Sequence, residues 1–422
     1  MTSDDTVFYN CHVHLVRDRD SPERFLGDFT SILRKIRFLK IIPGIGPVLR
    51  MAGKTSKEIL DTLIKKYERY NKKFRNEKFK IRNIKKYQFV VLPMDFSEMG
   101  AGELIEYEEN GCLKRRNLEE QLEEILALNA GKYDDRNDNE IYHYKGRIIP
   151  FLPVEPRRNY EECGSMIEYI EYWLKKGYKG IKIYPALGYF PWHPELMRLY
   201  DFIQKKELNV PILTHTSVGM IYYRGDDLKR LIETALEQPP HYNGKKVNVE
   251  CWELIKTYLK LYTTKSGHVR NKLLCGVFSH PINWLLVLKE FPNLKVNLAH
   301  FGGLREVRKY NRWKNQPLRV ANNWFSMISN MIKAENTDGT PKYPNLYTDV
   351  SATWGKRRFH TLLNQTLLDT KLLDRVLFGS DFYNNQIIGY EINFAKHLRD
   401  KIGNKFNTIA QLNPKKFLQG IK

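Results

Sequence analysis

Val7-Phe-Tyr-Asn-Cys-His-Val-His-Leu15 is a short apolar run that closes on two histidines one residue apart. On a β-strand, residues i and i+2 project from the same face, so His12 and His14 can converge on one point and chelate one metal ion. The same spacing also suits packing or hydrogen bonding on a partly apolar strand. On this stretch alone the two readings stand level, and the rest of the chain separates them.

Seven further apolar runs read as strands, each bounded by turn residues or followed by a helical pattern. They are Gln88 to Met94, Arg147 to Val154, Gly180 to Tyr184, Val210 to His215, Lys295 to His300, Leu346 to Val350 and Val376 to Ser380. Strands that alternate with helices pair in parallel, because each crossover needs about a dozen residues or more. Eight such strands predict an α/β fold, a (β/α)8 TIM barrel with long loop insertions, over one domain of residues 1–422. The insertions fall at about 16–87, 216–276 and 302–345. The first surrounds Ile41-Ile-Pro-Gly-Ile-Gly-Pro47, whose apolar character and Pro/Gly breaks suit a packed loop or interface more than a free helix.

A barrel of this kind carries its active site where the strands end. His12 and His14 end the first run, His215 the fifth and His300 the sixth, and Asp381 directly follows the eighth. Eleven histidines scattered at random would not usually place four at strand ends beside a terminal aspartate. This coincidence outweighs any single motif and favours the metal-site reading.

Composition adds mainly exclusions. At 42% hydrophobic residues the chain can fill a sizeable core, no window approaches 18 consecutive apolar residues, and the opening Met1-Thr-Ser-Asp-Asp5 lacks a signal peptide's basic start. The expectation is a cytoplasmic protein without a membrane partner. Cys11, Cys112, Cys163, Cys251 and Cys275 are odd in number and scattered, which argues against a disulfide framework or a cysteine zinc site. Lys and Arg exceed Asp and Glu by 69 − 48 = 21. A field of that sign could steer an anionic substrate or a nucleic acid, but the basic residues are spread over the chain, so a surface-wide bias is the stronger reading.

Imidazole nitrogen and carboxylate oxygen suit zinc and similar divalent ions, and an open coordination position activates water. His12, His14, His215 and Asp381 supply that set. His300 is either a further ligand or the group that polarises the substrate carbonyl, and Asp381 can also move a proton. Zinc leads, and the same donors accept manganese, iron or cobalt.

These motifs resemble the amidohydrolase superfamily of metal-dependent barrel enzymes. The matching stretches are Cys11-His-Val-His14, Thr214-His-Thr216, Leu298-Ala-His-Phe-Gly-Gly303 and Phe378-Gly-Ser-Asp381. Gly180-Ile-Lys-Ile-Tyr-Pro-Ala-Leu-Gly-Tyr-Phe-Pro191 and Phe291 to His300 are similar to the amidohydrolase-related branch that includes aminocarboxymuconate semialdehyde decarboxylase and resorcylate decarboxylases. In some relatives a fourth-strand lysine is carboxylated and bridges two metals. Lys182 stands at that place here, with Glu155 as a second candidate bridge, although a Lys182–Glu155 ion pair is at least as good a reading. The resemblance favours one metal, with two as the alternative.

Weaker substrate-binding candidates are Tyr184, which shares a strand face with Lys182, His193 in the loop after the fourth strand, and Arg357 beyond the seventh. Ordinary loop and surface roles compete for the last two. The leading expectation is hydrolysis of an amide, lactone or ester-like bond in a small molecule, anionic in one reading of the charge. The runner-up is non-oxidative decarboxylation of a carboxylated substrate, with aromatic acids as one option. Purine deamination fits less well, because Thr216-Ser-Val-Gly219 lacks the glutamate those relatives carry there. A metal-containing nuclease or nucleic-acid-binding component is the alternative of another class. A homodimer is the expected assembly if the chain is not a monomer.

Overall fold

The computed structural model describes residues 6–15, 17, 20–22, 54–73, 84–102, 118–131, 144–219, 221–264, 271–352, 356–382 and 391–419. The strands are β1 (Thr6–Val13), β2 (Ile84–Val91), β3 (Ile148–Val154), β4 (Gly180–Ile183), β5 (Ile212–Thr214), the short hairpin β6 (His241–Tyr242) and β7 (Lys245–Lys246), then β8 (Val296–Leu298), β9 (Leu346–Asp349) and β10 (Val376–Leu377). The hairpin is a separate antiparallel pair. The other eight form one parallel sheet in the order β1-β2-β3-β4-β5-β8-β9-β10.

Hydrogen bonds join the two ends of that sheet: Cys11 N donates to Phe378 O at 2.8 Å, Asp381 N to His12 O at 2.9 Å and His14 N to Phe382 O at 2.7 Å. The sheet is therefore closed, and the fold is the expected (β/α)8 barrel. Each apolar run contains or overlaps one of the eight strands, with shifted ends. The second strand begins at Ile84, inside the stretch read as an insertion.

Side-chain alternation sets what lies inside. Cys11, Val90, Leu92, Phe151, Leu213, Ala299, Tyr347 and Leu377 pack together in the barrel interior, capped by Phe417 from the C-terminal helix Asn413–Leu418. Two residues further along a strand points the same way. Leu213 is thus followed by His215, Phe151 by Pro153 and Glu155, Tyr347 by Asp349 and Ser351, and Leu377 by Gly379 and Asp381. The apolar layer sits at one end and the ionisable side chains gather at the other, the C-terminal rim. Alternate residues such as Ile181, Ile183, Ile212 and Val296 face outward into the larger core beneath the helices.

The helices start and stop by local chemistry. Ser165 caps helix Met166–Lys176, accepting from Glu168 N while Glu168 reaches back to the Ser165 hydroxyl, and Gly177 at φ 128° ends it. The second insertion contains helices Leu228–Ala235, Val249–Thr264 and Asn271–Leu274, and the third Gly303–Trp313, Pro317–Val320 and Trp324–Lys333. The first contributes helix Ser56–Lys73, while Ile41 to Pro47 lie outside the described residues. Among the described residues no helix is long and apolar enough to cross a membrane.

Candidate metal centre

A bulge in β1 aims the first two histidines. Upstream, Phe8 and Asn10 face helix Ser56–Lys73, with the Phe8 and Tyr67 rings 5.3 Å apart, and Cys11 faces the barrel interior. The β1–β2 register then shifts between Asn10 and Val13. The extra residue reverses the alternation, so His12 and His14 turn inward and Val13 joins the outer core.

Hydrogen bonding sets the ring chemistry. His14 Nδ1 lies 3.0 Å from Leu92 O, which can only accept, so Nδ1 carries the proton and Nε2 keeps its lone pair. His12 Nδ1 lies 3.1 Å from Asp349 Oδ2, and the same logic leaves its Nε2 lone pair unused. His12 Nε2 is buried without a hydrogen-bond partner among the described residues. Both Nε2 atoms face Asp381 Oδ1, at 3.8 Å from His12 and 3.4 Å from His14. Burial, with His12 and Lys182 nearby, pushes the His14 pKa well below its usual value, so the ring is neutral at pH 7. Two imidazole Nε2 atoms, one of them orphaned, converging on a carboxylate form a donor set that fits a divalent cation.

Asp381 adopts the left-handed region at φ 59° and His300 at φ 69°. Backbone strain of this kind in non-glycine residues costs of order 1–3 kcal/mol and collects at functional sites. His300 is held by its own N–H to Asp349 Oδ1 at 3.0 Å, by Nδ1 to the Ser351 hydroxyl at 2.8 Å and by Nε2 to His215 Nδ1 at 3.0 Å. Burial and the neighbouring His12 lower its pKa to about 3. His215 packs flat on Tyr184, with centroids 4.2 Å apart and planes at 14°, and its Nε2 meets Ser217 O at 2.9 Å.

Asp349 organises the cluster. Besides His12 and His300 N–H, it accepts from Asn297 Nδ2 at 2.9 Å and Ser351 N at 3.0 Å, and the Ser351 hydroxyl also bonds it. Burial opposes its charge, but His12, His300 and these bonds outweigh it and hold the carboxyl well below the usual range. Among the described residues, two groups bring ligand atoms within 4.8 Å of one another: His12, His14 and Asp381, and His12, His300 and Asp349. His215 belongs to neither and reaches the cluster through His300.

Asp349 and Ser351 were not anticipated from the sequence. The available signal was positional, because Asp349 closes the seventh run as Asp381 follows the eighth. What hid it is that its role lies in fixing two histidine rings, which strand spacing does not reveal.

The weaker candidates separate. Lys182, 1% exposed, points inward on β4 with its Nζ 5.3 Å from the Tyr184 ring centre and no hydrogen-bond partner among the described residues. Glu155 does not pair with it. Its carboxylate is taken by Arg157, at 2.8 Å to Nε and 2.9 Å to Nη2, because a guanidinium two residues away offers a forked match. That engagement also turns Glu155 away from a bridging role. His193 caps helix Pro194–Lys205, accepting from Glu195 N at 3.3 Å, with burial and Arg157 lowering its pKa to about 4. Arg357 is exposed and bonded to His397 at 3.0 Å, outside the cluster.

Residues 123–392, well over half the chain, match the family model described as amidohydrolase. The chain belongs to the amidohydrolase family. The matched span holds His215, His300, Asp349 and Asp381, and this amidohydrolase adds His12 and His14 from β1.

Similar solved structures include three that cover nearly the whole of both chains. One is a probable 2-pyrone-4,6-dicarboxylic acid hydrolase from Acinetobacter baumannii with citric acid bound, at 10% identity and TM-score 0.44, covering 98% of this chain and 99% of that one. Another is 5-carboxyvanillate decarboxylase from Sphingomonas paucimobilis, at 11% identity and TM-score 0.45, covering 99% of each chain. The third is a dihydroxybenzoic acid decarboxylase from Polaromonas with manganese and 2-nitroresorcinol bound, at 14% identity and TM-score 0.44, covering 98% and 96%. At these levels the likenesses say nothing about which chemistry this amidohydrolase performs. Among curated proteins, no sequence matches the chain.

Proposed function

We propose that this amidohydrolase is a metal-dependent hydrolase that adds water across an amide, lactone or ester-like bond. The observation that carries the reading is the convergence of His12 Nε2 and His14 Nε2 on Asp381 Oδ1, with the first nitrogen orphaned in a buried site. A divalent cation there, zinc first given the imidazole-rich donors, supplies Lewis acidity and lowers the pKa of water.

The remaining work falls to the chain's own groups. Asp349 holds His12 and His300 in place, the first through Nδ1 and the second through its backbone N–H. Asp381 takes the proton from the attacking water and delivers it to the leaving group. His300, kept neutral by burial, would donate its Nε2–H to the carbonyl oxygen as negative charge develops, giving up its contact with His215 Nδ1 to do so. His215 and Tyr184 stack as a wall that positions His300.

A second reading, decarboxylation of a carboxylated substrate, is favoured by one observation, the buried cationic side chain of Lys182 beside the same cluster. Product analysis separates the two, since hydrolysis consumes water and decarboxylation releases carbon dioxide.

Elemental analysis of the purified protein tests the hydrolase proposal. The expected result is about one equivalent of divalent metal, lost in His12→Ala/His14→Ala and in Asp381→Asn. A protein that holds none after exposure to zinc and manganese overturns the reading.

A further inference from the structure

The third insertion leaves the barrel at the rim, just after His300. Its residues 303–320 hold Arg305, Arg308, Lys309, Arg312, Lys314 and Arg319 against a single acid, Glu306. The inward face of helix Gly303–Trp313 is firmly docked. Val307 is buried, the Tyr310 and Phe325 rings lie 4.6 Å apart, and Asn323 Nδ2 donates to Glu306 O at 2.8 Å and to Glu306 Oε2 at 3.0 Å. On the opposite face Arg305, Arg308, Lys309 and Arg312 fall at i, i+3, i+4 and i+7, which makes one stripe, and all four are exposed.

Exposed arginines on other helices have an acid one turn away: Arg198 meets Glu195 at 2.6 Å and Arg230 meets Asp227 at 3.0 Å. On this stripe Lys309 takes the one acid, at 2.6 Å to Glu306 Oε1. Arg305, Arg308 and Arg312 have no ion-pair partner among the described residues. Like charges three and four residues apart repel, and a polyanion laid along the row would remove that repulsion.

The dimensions and chemistry of the row select the polyanion. At 1.5 Å per residue it spans about 10 Å, close to three nucleotides of one strand at about 3.4 Å each. Three of its four cations are guanidinium groups, whose forked N–H donors match two phosphate oxygens better than an ammonium does. The stripe itself carries no apolar side chain to enter a bilayer, because the apolar side of the helix is turned to the core. We propose that this stripe is a nucleic-acid-binding surface that holds the phosphate backbone of one strand without reading its bases. The proposal goes beyond the hydrolase reading and does not depend on it, since no residue of the candidate metal centre lies on the helix.

Fluorescence anisotropy of the full chain with a labelled strand of about 20 thymidines tests this. The parent protein is expected to bind at about 50 mM salt, with log K falling by about 0.7 per phosphate held for each unit of log salt. Arg305→Gln/Arg308→Gln/Arg312→Gln is expected to bind at least about tenfold more weakly and to reduce that slope by about 2, with metal content unchanged. Arg198→Gln/Lys205→Gln/Arg230→Gln removes the same charge from other helices and should bind within about twofold of the parent. Arg308→Gln alone guards against a triple variant that fails to fold, and should reduce the slope by about 0.7. The proposal is overturned if the parent does not bind the strand. Equal weakening in the two triple variants also overturns it, by assigning the binding to the net charge of +21 as a whole. So does capture of anionic phospholipid vesicles in place of the strand, for which Leu318, 95% exposed just past the helix, would be the hold.

Discussion

At the scale of single residues, Asp349 shows why a candidate centre is more than its donors. His12 presents Nε2 because Asp349 accepts the proton on Nδ1, and the carboxylate can do so because Asn297 and two backbone N–H groups hold it ionised in a buried site. Replacing Asp349 with Asn keeps the size but turns half of the group into a donor, which competes with the His12 Nδ1 proton. Competition against a chelator should show metal affinity falling about 10- to 100-fold in Asp349→Asn, the usual effect of losing the carboxylate behind a ligating histidine. Unchanged affinity would mean that Asp349 serves folding alone.

At the scale of elements, the barrel is a set of short strands whose two ends have different tasks. The apolar end depends on a plug that comes from far along the chain: Phe417, fully buried, packs edge-on against Tyr347 of β9 at 5.2 Å. Phe417→Ala should lower unfolding free energy by about 3–5 kcal/mol in a denaturant titration, as for other buried aromatic truncations. A change under about 1 kcal/mol would show that the C-terminal helix is not part of the cooperative barrel. The rim end was legible from sequence for a simple reason. A histidine or aspartate that closes an apolar run adds little to the core, so its place there points to the rim, and His12, His14, His215, His300 and Asp381 all meet that rule. Arg357 and His193 do not end strands, and the structure gives them a surface contact and a helix cap.

At the scale of the whole molecule, folding buries several histidines in their neutral form. His14, His215, His300, His193 and His280 all have pKa values below the ordinary one, with burial the largest cause in each, to about 4 for His193 and about 3 for His280 and His300. For such a group the unfolded chain binds the proton more readily. Stability is therefore complete above about pH 6.5 and falls as pH drops below it, by up to about 1.4 kcal/mol per pH unit for each histidine. Thermal melts of chelator-treated protein should be flat from pH 7 upward and fall steeply between about pH 6 and 4. His280→Gln, which changes a histidine away from the centre, should flatten that fall. Equal slopes in the two proteins would remove His280 from the linkage.

The sequence by itself determined the barrel, its strand order and the residue types at the rim, because short apolar runs and the crossovers between them are read one by one, and only the first run departs from simple alternation. Three things were decided only by the tertiary structure. The β1 bulge, invisible in the apolar pattern, turns His12 and His14 inward by inserting one residue against β2. Glu155 goes to Arg157 rather than Lys182, because the guanidinium fork can reach both oxygens while Lys182 points into the barrel. Asp349 meets His12 across 337 residues of chain. Each is a choice among partners of similar chemistry, and such choices depend on distances that only the closed barrel sets.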